Sequence, residues 1–298
     1  MSRPTPLKVN VPDTALVLEG GGMRAAYSSA VVATLINNGI VFPYVAGISA
    51  GSSCLANYVS SDPHRAKITF TSFAADPQFG NWRTFVRGKG LFNADYIYQH
   101  TSEPGEALPF NLKAYEEHPA DFSIEAFRMK DGVTARWNRS DIKQMKDLMV
   151  RVQASSTMPI LMPPVRIDGD LYVDGALGPD GGIPLTPVHD AGFKKFLIIL
   201  TQERGYRKSP ARNPWFIKQY FRAYPAVVDA LLDRPRRYNE TRERVFELER
   251  AGQAYVFTPE RMPIGNGETD VGKLAATYAL GFEQIHRELP AIKEFLGL

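Results

Sequence analysis

Cysteine is almost absent from this chain: Cys54 stands alone among 298 residues, which excludes an internal disulfide and any metal site built from several thiolates. Histidine is scarce too. The five, at positions 64, 100, 118, 189 and 286, show neither HExxH nor His-x-His spacing, so nothing points to a zinc enzyme and no metal or cofactor is expected. Long apolar runs are missing. The strongest stretches, such as residues 196–200 and 30–36, fall far short of the ~20 residues that cross a bilayer. The first six residues carry no apolar segment of the secretory kind. Neither sign of charge dominates, with 35 Lys and Arg against 32 Asp and Glu for a formal net charge of +3. Hydrophobic residues at 44% and charged residues at 22% describe a globular chain rather than a disordered one. The expectation is a soluble, cytoplasmic protein of one large domain or two ordinary ones.

What is present is an alternation of strand and helix from residue 13 to about 201. The apolar run Ala15-Leu-Val-Leu-Glu19 leads into Gly20-Gly21-Gly22, a buried strand entering a tight turn. Residues 23–38 have helical apolar spacing and end at Asn38-Gly39. Val45-Ala46-Gly47 reads as a second strand, followed by a small-residue helix to about Ser60. Strand, crossover helix and strand imply a right-handed βαβ unit in a mostly parallel sheet. Residues 62–147 are less regular. Beyond them, residues 151–155 read as a strand and 165–174 as a hairpin turning at Asp168-Gly169. Residues 195–201 form the strongest buried-strand signal, 254–258 another short strand, and 269–296 a helical segment broken at Pro290. This divides the chain into an extension (1–12), a core (13–201) and a basic, then helical, region (202–298) packed on the same domain.

Gly47-Ile48-Ser49-Ala50-Gly51 is a Gly-x-Ser-x-Gly string between an expected strand and helix. A nucleophile elbow places its serine on a strained turn, so the chain can double back only if the flanking residues are small. Gly47, Ala50 and Gly51 are small. In parallel βαβ order, Gly20-Gly21-Gly22-Met23-Arg24 belongs at the neighbouring strand end, where glycine amides at a helix start suit an oxyanion and Arg24 adds positive charge. A tight turn with no chemistry would use the same string. Gly20-x-Gly22-x-x-Ala25 also fits a dinucleotide-binding pattern, but that reading needs an acidic residue about 20 positions on, and residues 25–61 contain none.

A serine hydroxyl needs a base. His189 and His286 are candidates by chain order, although neither has a distinctive setting. Asp174, in Leu171-Tyr172-Val173-Asp174-Gly175-Ala176, is the better one: the apolar residues before it imply burial, which raises a carboxylate's proton affinity.

Gly20-Gly-Gly-x-Arg24, Gly47-x-Ser49-x-Gly51 and Asp174-Gly175-Ala176, in that order, resemble the three signature blocks of the patatin-like phospholipases. Ala154-Ser155-Ser156-x-x-Pro159 resembles that family's Ala-Ser-x-x-x-Pro segment. The resemblance spans residues 13 to about 201. It implies a three-layer α/β/α sandwich and a serine–aspartate dyad without histidine that hydrolyses lipid esters. Ser49 would be the nucleophile and Asp174 the base, with Gly20, Gly21, Gly22 and Arg24 as the oxyanion block and Gly47, Gly51 and Gly175 supporting the turns. Ser155 and Ser156 would shape the floor of the site. A Ser–Asp–His esterase and a catalytically idle lipid- or protein-binding domain are the alternatives.

Residues 204–244 hold 11 Lys and Arg against 4 Asp and Glu, interleaved with Trp215, Phe216, Tyr220, Phe221 and Tyr224. Such a stretch suits an anionic membrane surface or a cover over an acyl pocket, or it packs its apolar face on the sheet; Pro225 should kink or split any helix there. No nucleic-acid module accompanies the charge. Cys54 is expected to be a packing residue, while Trp82 and residues 90–93 either line a substrate pocket or pack.

Overall fold

The computed structural model describes residues 7–80, 90 and 92–298; Trp82 and Leu91 therefore lie outside the described residues. Strand β1 (Thr14–Leu18) is buried along its whole length, as an unbroken apolar run with helices on both faces must be. It pairs in parallel with β2 (Tyr44–Gly47) on one side and with β7 (Lys195–Ile199) on the other. The sheet continues through β3 (Asp121–Arg128), parallel to β2, and through β8 (Ala254–Phe257), parallel to β7. Three antiparallel strands complete the β3 side: β4 (Thr134–Trp137), β5 (Val165–Ile167) and β6 (Asp170–Asp174). Eight strands thus form one mixed, mostly parallel sheet in the order β5-β6-β3-β2-β1-β7-β8, with β4 paired to β3.

Alternation along the strands separates two cores. Leu16 and Leu18 join Leu197, Ile199 and Phe257 against α1 (Ala25–Asn37), α2 (Ala50–Val59) and the closing helix. Ala15 and Val17 join Phe196, Ile198 and Val256 against residues of the other layer, among them Leu185, Val188, Tyr238 and Val245. Helix α1 is buried from Ala25 to Leu35, and Tyr27 donates its hydroxyl hydrogen bond to Gln284 of the last helix. Helix α3 (Pro63–Thr69) starts on Asp62, whose carboxylate accepts the Arg65 N–H at 2.8 Å, a cap typically worth about 1 kcal/mol. Short helices α4 (Ala94–Gln99) and α5 (Leu112–Glu117) precede β3.

Two sequence expectations fail. Residues 151–155 are not a strand but the end of helix α6 (Met145–Ser156). Asp147 accepts the N–H groups of Lys143 and Gln144 at its start, and Leu148, Val152 and Ser155 bury one helical face. Pro290 does not break the last helix. That helix runs unbroken from Val271 to Leu296: Pro290 is exposed, so water can take the carbonyl it leaves unpaired, while Ile285, Ile292 and Leu296 hold the buried face. After α7 (Leu185–Asp190), Pro225 separates α8 (Pro214–Tyr220) from α9 (Pro225–Arg250) as the first residue of the latter; the closing helix is α10 (Val271–Leu296).

Candidate active site

Leu18 and Gly47 are register partners at the ends of β1 and β2, so the glycine loop and the serine turn lie side by side. Ser49 has φ +56° and ψ −130°, a strained backbone at the entry to α2. The turn closes only on glycines: a Cβ at Gly47 would stand 2.4 Å from the Gly51 carbonyl oxygen, and one at Gly51 would stand 2.2 Å from that of Leu18. Ser155 Oγ accepts the Ser49 N–H at 3.0 Å, so the α6 serine fixes the turn from below.

Ser49 Oγ donates to Asp174 Oδ2 at 2.8 Å. The other carboxylate oxygen, Oδ1, accepts the Ala176 N–H at 2.8 Å, and the Asp174 N–H binds the Thr157 carbonyl at 2.8 Å. Gly175 permits this, because a Cβ there would lie 2.2 Å from the Glu125 carbonyl oxygen of β3. Burial raises the Asp174 carboxyl above its ordinary range; the Arg234 charge, the Ala176 N–H, the Ser49 hydroxyl and the Lys208 charge oppose that rise.

The glycine block divides by its contacts. The Gly20 N–H is taken by the Gly182 carbonyl at 3.0 Å and the Arg24 N–H by that of Gly21 at 3.3 Å. Among the described residues, the amides of Gly21, Gly22 and Ala50 have no protein acceptor. Gly22 and Ala50 open on the same pocket as Ser49. Gly20 serves sterically, against Ser49 and Ile48. Arg24 is half-buried and its Nε has no partner.

The pocket at Ser49 is mainly apolar, lined by Phe70, Phe79, Phe92, Ile97, Leu108 and Met149, with about 790 Å³ of atom-free space in and around it. Phe92 thus sits where the sequence left pocket and packing open. The histidines lie apart from the Ser49–Asp174 hydrogen bond. His189 is exposed with its ring on Phe196, in the first half of β7, whereas Ser49 stands at the far strand ends. His286 is exposed, and its Nδ1 engages the Phe282 carbonyl at 2.8 Å. Cys54 is buried, which pushes its thiol up to about 12. Among the described residues no cluster of His, Cys, Asp or Glu could hold a metal, and no helix is long and apolar enough to cross a membrane.

A family model for patatin-like phospholipases matches residues 16–189, more than half of the chain. The chain belongs to that family. A second model, for a domain of unknown function (DUF6363), matches residues 224–297. The uncharacterized protein YjjU of Escherichia coli (strain K12) is 24% identical over 189 residues, covering 63% of this chain and 51% of the relative. Lysophospholipase NTE1 of Cryptococcus neoformans var. neoformans is 26% identical over 184 residues, covering 62% of this chain and 11% of that protein. The chain therefore spans about half of one of these curated relatives and about a tenth of the other. Among solved structures, VipD from Legionella pneumophila shares the fold, with TM-score 0.51 and 14% identity over 98% of this chain and 72% of VipD.

Four residues escaped the motif reading: Arg65, which lines the pocket, Thr157, whose carbonyl accepts the Asp174 N–H, and Lys208 and Arg234, whose charges act on Asp174.

Proposed function

We propose that this patatin-like protein hydrolyses carboxylic esters of lipids through a Ser49–Asp174 dyad. The observation that carries the reading is the 2.8 Å hydrogen bond from Ser49 Oγ, on the wall of an apolar pocket, to the buried Asp174 carboxylate. Ser49 Oγ attacks the acyl carbonyl as its proton passes to Asp174. The amides of Gly21, Gly22 and Ala50 receive the developing oxyanion, at about 3–4 kcal/mol for each well-placed donor. Asp174 returns the proton to the leaving alcohol, then takes one from the water that releases the acid. No metal or cofactor takes part in this scheme, and residues 202–298 act in one unit with the core. The name of the distant relative, a lysophospholipase, agrees with a lipid substrate.

The protein works at a membrane surface in this reading. Trp215 is 70% exposed and Tyr220 55%, on α8, whose Lys218 and neighbouring Arg212 and Arg222 are exposed as well. Aromatics ringed by cations suit an anionic bilayer. A location in the cytoplasm, peripheral at its membranes, follows from the same reading.

A fluorophosphonate probe tests the chemistry. A single adduct on Ser49, lost in Ser49→Ala and absent from a folded Asp174→Asn protein, is the expected result. No adduct on well-folded wild-type protein would leave the idle lipid- or protein-binding domain as the answer.

A further inference from the structure

The pocket that opens at Ser49 is apolar along most of its wall, yet one of its lining residues is Arg65, only 7% exposed. Among the described residues no carboxylate lies within 4 Å of it, and none of the remaining residues is Asp or Glu. Its partners are neutral: the Leu108 carbonyl accepts from Nε at 3.2 Å, Asn57 Oδ1 from Nη1, and Ser102 Oγ from Nη2 at 3.4 Å. The Phe110 ring lies 5.3 Å from its Cζ. The Asp62 carboxylate, nearest in sequence, accepts the backbone N–H of Arg65 and acts on its guanidinium only through space, opposing the effect of burial. Burial lowers the guanidinium to about 10, which leaves it a cation at neutral pH.

Beside it, Asn57 is fully buried and its Nδ2 has no acceptor. The amide cannot be turned round to cure this, since Oδ1 already accepts from Arg65 and a flip would face donor with donor. A buried cation whose hydrogen-bond partners are all neutral is costly unless something supplies negative charge. Asn57, which backs Arg65, lies eight residues beyond Ser49 along α2, about 12 Å from the nucleophile at 1.5 Å per residue.

We propose that Arg65, held from behind by Asn57, reads the far end of the acyl chain, and that the preferred substrates are esters of medium-length acids whose chain ends in a carboxylate. The acyl carbonyl sits at Ser49, the methylenes lie along Phe70, Phe79 and Ile97, and the terminal carboxylate takes the open N–H groups of Arg65. Charge-assisted pairing of this kind discriminates strongly against a methyl end, because the unsatisfied donors stay buried when the wrong chain enters. This inference rests on the dyad reading, since it assigns the acyl group to this pocket.

The test uses two series of p-nitrophenyl esters of graded acyl length, identical except that one ends in methyl and the other in carboxylate. For the wild-type full chain, kcat/KM for the carboxylate-ended ester is expected to exceed that of its methyl partner by at least about tenfold at the length that reaches Arg65. Arg65→Met should abolish or reverse the preference while the fluorophosphonate adduct on Ser49 still forms; should that variant fail to fold, the wild-type comparison decides alone. Turnover of both series without such a preference at any length would overturn the inference and leave the dyad standing. No turnover and no Ser49 adduct would remove both.

Discussion

Gly20 and Ser49 touch across two neighbouring strand ends: a methyl group on the glycine would stand 2.9 Å from the serine Cβ and 3.0 Å from the Ile48 carbonyl oxygen. The serine is therefore held between the glycine loop above β1 and Ser155 below it. Gly20→Ala is expected to fold but to displace Ser49, lowering kcat/KM by about 100-fold, the scale of a 1 Å misplacement. Gly51→Ala meets backbone far more closely, the Leu18 carbonyl oxygen at 2.2 Å, and is expected to cost about 3 kcal/mol of stability. Thermal melting together with Ser49 labelling rates separates the two outcomes; equal loss of stability in both would refute the distinction.

On the proposed dyad, Asp174 should set the pH dependence. Its folded value is raised by burial, and Arg234 is the largest influence pulling it back. The ionised carboxylate accepts the serine proton, so kcat/KM should rise with pH through that raised value. Arg234→Met removes the largest opposing charge and should move the rising limb to higher pH, as a pH–rate profile would read. A limb that stays still or moves lower would count against Asp174 as the base. Stability runs the other way. A raised folded value means that this group's stabilisation is present below 3.8 and lost as pH climbs through the folded value. Asp174→Asn should thus be inactive, yet at least as stable as wild type at neutral pH, with the gap closing in acid.

The site was largely legible because elbow chemistry is local. Gly47, Ser49 and Gly51 fall within five consecutive residues of one turn, and Gly20–Gly22 follow the strand that βαβ geometry sets beside it. Asp174 was legible from the hairpin and its apolar approach, though only the fold brings it to Ser49. Strands β3 and β4 were not legible, because Ser123 and Glu125 are buried polar positions inside β3 that interrupt an apolar run. Helix α6 was misread for the opposite reason. Val150 and Val152 mimic a strand, while the Asp147 contacts that nucleate the helix lie several residues upstream. Arg65 gave no signal at all: an arginine on a short helix ordinarily faces water, and only the loop carrying Leu108 and Phe110 closes over it.

Ser155 should matter without taking part in the chemistry. Its hydroxyl is the acceptor for the buried Ser49 N–H, so Ser155→Ala leaves that donor unpaired at about 1–3 kcal/mol. The expected result is a lower melting temperature and slower fluorophosphonate labelling, with the adduct still on Ser49. Unchanged labelling would mean that α2 alone holds the turn.

Glu125 offers a test of stability independent of the dyad. It is 1% exposed in β3, and although Arg136 reaches Oε1 at 2.9 Å, Oε2 has no partner. Burial lifts its carboxyl from 4.5 to about 7 against the pull of Arg136. The folded state therefore binds this proton more tightly than the unfolded state. The group's contribution is fully present below 4.5 and is lost as pH rises to about 7, after which it stays constant. Glu125→Gln keeps the shape, carries no charge to desolvate and leaves Arg136 its 2.7 Å pair with Asp190. Urea unfolding at a series of pH values should find the variant more stable than wild type above neutrality, by at most about 3 kcal/mol, and the advantage should shrink steadily toward pH 4.5. A variant that is less stable at alkaline pH would mean that the Arg136 pair outweighs the cost of burying the carboxylate.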